Sequence, residues 1–168
     1  PRPRALVILQ GHTASGKSSL ARALRDGDPA HVVALHSALV RKELGLCAQG
    51  QYRFDLKDPH FIREVSGRVY AELLARAAQH MEHYEVVVLD AAYNFYAQRV
   101  PVYTLAANQQ LWVIGIRCDC PDAERVRARL ESRKLDPADP FNEATDYETY
   151  RSTIELGELP PADGDRPS

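Results

Sequence analysis

The segment ALVILQGHTASGKSSLARAL, residues 5–24, decides the fold of this 168-residue chain. Residues 5–9 form a short apolar run that ends at a loop, which is typical of a strand buried on both faces of a parallel sheet. Residues 19–24 are rich in alanine and leucine and favour a helix. The segment therefore predicts a strand, a loop and a helix in that order.

The loop carries Gly11, Gly16, Lys17 and Ser18 at the spacing G-x-x-x-x-G-K-[ST]. Glycines at these positions let backbone N–H groups and a helix N-terminus converge on an anion. Lys17 then reaches the β- and γ-phosphates of a nucleotide, and the Ser18 hydroxyl becomes a ligand for Mg²⁺. The competing interpretation is a glycine-rich turn without a ligand, and the strand and helix on either side argue against it. The predicted nucleotide-binding residues are Gly11, His12, Thr13, Ala14, Ser15, Gly16, Lys17, Ser18 and Ser19.

The rest of the chain alternates between strand and helix patterns. Apolar runs at residues 31–35, 85–90 and 111–116 predict three further strands. Apolar residues recur every three or four positions between residues 61 and 81, which predicts a long helix with one buried face. Helices are predicted at residues 39–44, 98–109 and 121–134, after Asp58-Pro59, and after Thr145. The alternation predicts an α/β three-layer sandwich, with a parallel sheet of four to five strands between helices.

Composition limits the environment and the partners. With 45% hydrophobic and 26% charged residues the chain is expected to fold around one core. Its net charge of −2 favours a small-molecule partner over a nucleic acid. Its longest apolar runs fall short of the roughly 18 to 20 residues that cross a bilayer, and no signal peptide is recognised. The three cysteines suit a reducing compartment, so we expect a cytoplasmic protein; the oligomeric state stays open.

Three charged residues outside the loop are further candidates for chemistry. Asp90 ends a predicted strand, where it could orient Mg²⁺ through water, accept a proton from a hydroxyl, or only cap the next turn. Arg129 and Arg133 share one helical face and could bind transferring phosphates, although a charged helix is often only a solvated surface. His12 is expected to line the loop or contact the nucleotide rather than to act in catalysis. The cysteine pair 118/120 and the histidine pair 80/83 lack the spacing of a structural zinc site.

Taken together, several segments resemble the small P-loop kinases of the gluconate-kinase, zeta-toxin and polynucleotide-kinase type across about residues 5–158. The segments are residues 5–24, 37–44 with Arg41, 69–74, 87–92 with Arg99, and 120–133. The resemblance implies that Lys17 and Ser18 hold ATP–Mg²⁺ and that Arg41 contacts the acceptor. It also implies a single P-loop NTPase domain, which we place at residues 1–158; the polar, turn-rich composition of residues 159–168 predicts a tail after it. A lid at about 129–143 would close Arg129 and Arg133 over the phosphates.

Two departures from the family pattern matter for function. Family members with an Asp-x-x-Arg pattern carry a general-base aspartate three residues before the arginine, and Ala38 stands there in this chain. Either the activity is weakened or another group, Asp90 or His36, takes the task. Such kinases also add a fifth parallel strand after the lid, and we find no candidate for it in the sequence.

The sequence therefore predicts a phosphotransferase that moves the γ-phosphate of ATP to a hydroxyl of a small molecule or of a nucleic-acid 5′ end. Its predicted catalytic residues are Lys17, Arg41, Asp90, Arg129 and Arg133, and its predicted Mg²⁺ ligands are Ser18 and Asp90. The alternative is a nucleotide-binding regulatory ATPase without an acceptor, which the alanine at position 38 favours. The absence of Asn-Lys-x-Asp and Asp-x-x-Gly patterns after the loop argues against a GTPase switch.

Overall fold

The computed structural model describes residues 3–46, 61–135 and 147–157. Within these ranges the chain forms four strands, six α-helices and one π-helical turn, Phe61–Ser66, that leads directly into α3. The elements are β1 Ala5–Gln10, α1 Lys17–Gly27, β2 Val32–His36, α2 Ser37–Glu43, α3 Gly67–His80, β3 Val86–Asp90, α4 Tyr96–Gln109, β4 Trp112–Arg117, α5 Ala123–Leu135 and α6 Tyr147–Leu156. The predicted helix starts at Asp58-Pro59 and Thr145, residues 136–143 of the predicted lid, and the tail at 159–168 lie outside the described residues.

All strand pairs are parallel, in the order β2-β3-β1-β4, which confirms the predicted α/β class. β1 lies inside the sheet and all six of its residues are buried, as its apolar run predicts. In the register, Leu9 and His36 both lie opposite Asp90. The carboxyl ends of β1, β2 and β3 therefore meet at one edge of the sheet.

The two faces of the sheet are covered by different helices. On one face, Leu6, Ile8, Val87 and Leu89 belong to a core cluster with residues of α3 and α4. On the other face, Val7, Leu9 and Val88 cluster with Ala21 of α1. Alternate side chains of a strand point to opposite faces, so each strand supplies both clusters. A buried apolar side chain of this size contributes about 1.5–3 kcal/mol, so this packing fixes the edge that carries the site.

The predicted stripe of the long helix is confirmed where the structure describes it. Val69, Leu73 and Ala77 are fully buried on α3, and Met81 is buried at its C-terminal end. Glu64 and Arg68 lie on the exposed side. No helix within the described parts of the chain is long and apolar enough to cross a bilayer.

Two elements differ from their predicted form. α4 begins at Tyr96 rather than near residue 98, because the Phe95 N–H donates to Gln98 Oε1 at 3.2 Å and caps the first turn. β4 is a sheet edge among the described residues, and Trp112 on it is 69% exposed. An apolar run alone does not distinguish an edge strand from an internal one.

Candidate active site

The phosphate-binding loop, residues 11–18, joins β1 to α1 at the carboxyl edge of the sheet. Gly11 has φ +135° and Gly16 has φ +102°, conformations that disfavour any residue with a side chain. A Cβ at Gly11 would lie 2.2 Å from the Cys118 carbonyl oxygen, whereas a Cβ at Gly16 would meet open space. Gly11 is therefore required by both its backbone conformation and its close neighbour, and Gly16 by its conformation alone.

The N-terminus of α1 opens toward the inside of this loop. Its N-cap is Gly16, and no side chain caps the N–H groups of the first turn. Uncapped N–H groups and the helix dipole together favour an anion at this position. Lys17 Nζ donates to the His12 carbonyl oxygen at 2.6 Å and to Ser15 Oγ at 3.4 Å, so the loop wraps around its own lysine. This geometry fits a bound phosphate group.

The charged form of Lys17 is disfavoured in the protein without a ligand. Burial lowers the pKa of Lys17 to about 8, while the Asp90 carboxylate and Cys118 raise it in part and Arg133 lowers it further. A nearby anion would favour the charged form of the lysine. The site is thus prepared for negative charge beyond that of Asp90.

One cleft runs from the loop across the carboxyl edge of the sheet, with about 930 Å³ of empty space including its open mouth. It brings together Thr13, Ala14, Gly16, Lys17, Ser18, Arg41, Asp90 and Arg133 among the predicted residues. Ser37, Ala38, Ser66, Tyr70, Ala91, Ala92, Asn94, Phe95, Gln98 and Thr153 complete the lining. Of these, only Ala38 was singled out from the sequence. Most of the others lie in the first turn of a helix or in the turn after β3, and Thr153 lies in the second half of α6, where no sequence pattern marks them.

Five predicted residues do not line this cleft. Gly11, His12 and Ser15 belong to the loop, where His12 O and Ser15 Oγ accept hydrogen bonds from Lys17, and Ser19 is exposed on α1. Arg129 Nη1 donates to the Ala14 carbonyl oxygen at 2.7 Å, which holds α5 against the loop. The sequence predicted that Arg129 and Arg133 both bind the transferring phosphates. In the structure Arg133 lines the cleft and Arg129 does not.

Asp90 and His36 form a buried pair at the ends of neighbouring strands. His36 Nδ1 lies 2.7 Å from Asp90 Oδ2, and both side chains are buried. Asp90 lines the cleft, whereas His36 lies behind it. The register of β2 against β3 creates this contact, since it places the two residues opposite each other. His36 therefore orients Asp90 and does not face the cleft itself.

The side of the cleft away from the loop is built by α2 and α3. Arg41 is 4% exposed and lies one turn after Ala38, and both line the cleft. Tyr70 of α3 stands nearby; burial raises the pKa of Tyr70, and the charge of Arg41 partly opposes the shift. Among the described residues that line the cleft, Asp90 is the only carboxylate.

Helix α6 packs against the phosphate-binding loop from the other direction. His12 Nδ1 lies 3.3 Å from Thr153 Oγ1, and the His12 ring meets Tyr150 edge to face. Tyr150 shares a buried cluster with Ala14 of the loop and Val126 and Leu130 of α5. Burial lowers the pKa of His12, and the charge of Lys17 lowers it further. His12 thus packs between the loop and α6 and does not line the cleft, whereas the sequence predicted that it lines the loop or contacts the nucleotide.

A family model described as an AAA domain matches residues 6–153, which is most of the chain. The chain belongs to the AAA_33 family. The predicted resemblance to small P-loop kinases and the predicted P-loop NTPase fold are both confirmed. No curated protein matches the sequence.

Solved structures similar to this AAA_33 domain share its fold at low sequence identity. A proposed kinase from Chloroflexus aurantiacus has a TM-score of 0.66 and 20% identity, over 99% of this chain and 83% of that one. Chaetomium thermophilum Kti12, in complex with ADP-AlF3, has a TM-score of 0.66 and 17% identity over 93% and 81%. A gluconokinase from Sinorhizobium meliloti has a TM-score of 0.63 and 14% identity over 97% and 80%. The fold is therefore one that kinases use.

Proposed function

We propose that this protein is an ATP-dependent phosphotransferase that moves the γ-phosphate of ATP to a hydroxyl of a small molecule. The observation that carries the proposal is that one cleft is lined both by Lys17 of the loop and by Ala38, Arg41 and Asp90. Phosphoryl transfer needs donor and acceptor in line in one space, and little covalent chemistry from the protein. A regulatory ATPase needs only the nucleotide site at the phosphate-binding loop.

The loop side is the proposed nucleotide site. The uncapped N-terminus of α1 and the lysine at the loop mouth suit the phosphates of ATP. Ser18 and Asp90 both line the cleft; Ser18 would hold Mg²⁺ and Asp90 would orient it through water, and the charge of the ion would neutralise the β- and γ-phosphate oxygens. Two proteins of this fold, Kti12 and a Mycobacterium tuberculosis APS kinase, were solved with ADP-AlF3 and AMPPNP, which supports this assignment.

The α2 side is the proposed acceptor site. Arg41 would bind the acceptor, and Asp90, the cleft carboxylate, would accept the proton of the attacking hydroxyl. Arg133 lines the cleft near Lys17 and would stabilise charge on the transferring phosphate. Arg129 would act through the loop carbonyl that it binds. The net charge of −2 supports a small acceptor over a nucleic-acid end.

Measurement of ADP formation with and without a panel of hydroxylated small molecules tests the proposal. We expect at least one acceptor to raise ADP formation, and Lys17→Ala to abolish the response. ADP formation that no acceptor changes would instead favour a regulatory ATPase, the second candidate. That candidate is supported by Ala38, which leaves α2 without a carboxylate in the cleft.

A further inference from the structure

Helices α2, α3 and α4 cover the same face of the sheet, and α1 covers the other face. Val40, Val69 and Val102, one from each of the three helices, belong to one core cluster, whereas Ala21 of α1 belongs to the cluster on the opposite face. The phosphate-binding loop leads into α1. Residues that line the cleft from α2, α3 and α4 therefore lie on the proposed acceptor side, away from the proposed nucleotide site.

Gln98 of α4 brings an amide of fixed orientation to this side. Gln98 Oε1 accepts the Phe95 N–H at 3.2 Å, and an amide N–H₂ group cannot accept that hydrogen. The other end of the amide, Nε2, therefore keeps two hydrogens to donate. Nε2 has no partner among the described residues, it is not shut away from solvent, and Gln98 lines the cleft. The acceptor side thus holds a donor that can bind only an atom with a lone pair.

Ser66 at the start of α3 offers a second polar group. It is 8% exposed and lines the cleft. A serine at a helix start often caps the helix, but the π-helical turn continues into α3 and the Ser66 side chain makes no capping hydrogen bond. Its hydroxyl has no partner among the described residues and is not shut away from solvent. A polar side chain buried this far without a partner calls for an explanation, which a ligand in the cleft would supply.

We propose that Gln98 and Ser66 select the phosphoryl acceptor, and that this acceptor carries an oxygen group besides the hydroxyl that reacts. The inference rests on the proposed function. As the reacting oxygen bonds to the γ-phosphorus, its hydrogen passes to Asp90 and the bond to ADP breaks, with the electron pair leaving on ADP. A donor on the attacking oxygen would engage the electron pair that it needs, so Gln98 Nε2 binds a second oxygen. Sugars, polyols and hydroxy acids have one, whereas an ammonium group has no lone pair to offer.

The first experiment uses the unaltered protein with glycerol, D-ribose, D-glucose, D-glycerate and propan-1-ol, and measures transfer from γ-labelled ATP. For the best acceptor, each oxygen group that is not phosphorylated is then replaced in turn by hydrogen and by an ammonium group. At one position we expect hydrogen to lower kcat/KM about threefold to tenfold, and the ammonium group to lower it further. Equal kcat/KM at every position, or propan-1-ol as the best acceptor, would overturn the proposal.

The second experiment exchanges the donor of residue 98 for an acceptor. Gln98→Glu keeps an oxygen for the Phe95 N–H, so the cap of α4 remains, and it replaces the N–H₂ group by a carboxylate oxygen. We expect kcat/KM for the best acceptor to fall at least about tenfold, and its ammonium analogue at the same position to become the better of the two. Gln79→Glu, the same change on the exposed side of α3, is the matched control. An unchanged preference between the two acceptors in Gln98→Glu would show that Gln98 does not select the acceptor.

Ser66→Ala tests the second group without removing a cap. Because the hydroxyl has no partner among the described residues, we expect no loss of melting temperature. The Kd of Mg·ATP should stay within about twofold while kcat/KM for the best acceptor falls about threefold to tenfold. An unchanged kcat/KM, or a Kd of Mg·ATP that rises by the same factor as kcat/KM falls, would overturn the assignment of Ser66.

The two proposals fail in different ways. If the unaltered protein transfers phosphate and Gln98→Glu and Ser66→Ala transfer it equally well, the acceptor residues are wrongly assigned and the kinase proposal stands. If the unaltered protein binds Mg·ATP and transfers phosphate to no acceptor of the panel, the proposed function fails, and the assignment of Gln98 and Ser66 fails with it.

Discussion

Lys17 is the residue whose charge state links the loop to its ligand. Its pKa of about 8 in the protein alone lies well below the ordinary 10.5, because burial disfavours the charged form. Nucleotide phosphates would reverse this by adding negative charge beside the ammonium group. The pKa of Lys17 must therefore rise when nucleotide binds, and proton uptake must accompany binding at alkaline pH.

We predict that Lys17 takes up close to one proton for each ADP or ATP that binds near pH 9. Near pH 7 Lys17 should take up almost none. Below about pH 8 the lysine is protonated in both states, so its contribution to affinity is constant; above about pH 8 affinity falls as pH rises. Titration calorimetry in two buffers of different ionisation enthalpy measures the uptake. Lys17→Ala should abolish it and Lys42→Ala, at an exposed position of α2, should not. Uptake that persists in Lys17→Ala would contradict the assignment.

Position 38 offers a gain-of-function prediction. Ala38 lines the cleft one turn before Arg41, so an aspartate there would add a second carboxylate on the acceptor side. General-base assistance contributes about 10²- to 10⁴-fold, so Ala38→Asp should raise turnover at least about tenfold with little change in ATP affinity. Ala38→Asn is the matched control without a base. An unchanged rate would mean that Asp90 already performs this task.

At the scale of elements, the site depends on how β1, its loop and the strand beside it fit together. The Cys118 carbonyl oxygen at the end of β4 leaves no room for a Cβ at Gly11. We predict that Gly11→Ala lowers the melting temperature by more than Gly16→Ala, which meets no neighbour and is strained only in its backbone. Calorimetric melting of both variants measures the difference. Equal melting temperatures would contradict the close contact.

The family resemblance implies a lid at about residues 129–143, which would close over the site. Arg133 lines the cleft from α5, and residues 136–143 follow it with prolines and no helical periodicity. We predict that a non-hydrolysable ATP analogue slows hydrogen exchange at about residues 129–143, since lids order over their ligand. Hydrogen exchange followed by mass spectrometry measures this, with α3 as the internal control. Exchange unchanged by the analogue would count against a lid.

Local patterns predicted the elements better than the site. The apolar run of β1, the loop glycines and the stripe of α3 depend on neighbours in sequence, and the sequence placed them within a few residues. Contacts such as Arg129 with Ala14, or His12 with Thr153, join residues far apart in sequence and follow from packing. The turn after β3 contains Tyr93 with a positive φ, which no local rule predicts for tyrosine.

At the scale of the whole molecule, a parallel sheet gathers the site at one edge. Lys17 and Arg41 follow β1 and β2, Asp90 ends β3, and the order β2-β3-β1 brings the three residues to one cleft. In open α/β sheets ligands bind outside the carboxyl ends of the strands, which is where this cleft lies. One space with a nucleotide side and an acceptor side is the physical basis of the proposed kinase activity.

Phosphorus NMR of the protein with Mg·ATP and an active acceptor tests this account most directly, because it follows the γ-phosphate to its destination. We predict that a phosphomonoester resonance grows at the rate at which the γ-phosphate resonance falls, with little inorganic phosphate, and that Lys17→Ala shows neither change. Inorganic phosphate that accumulates at the same rate with and without every acceptor, and no phosphomonoester, would contradict it.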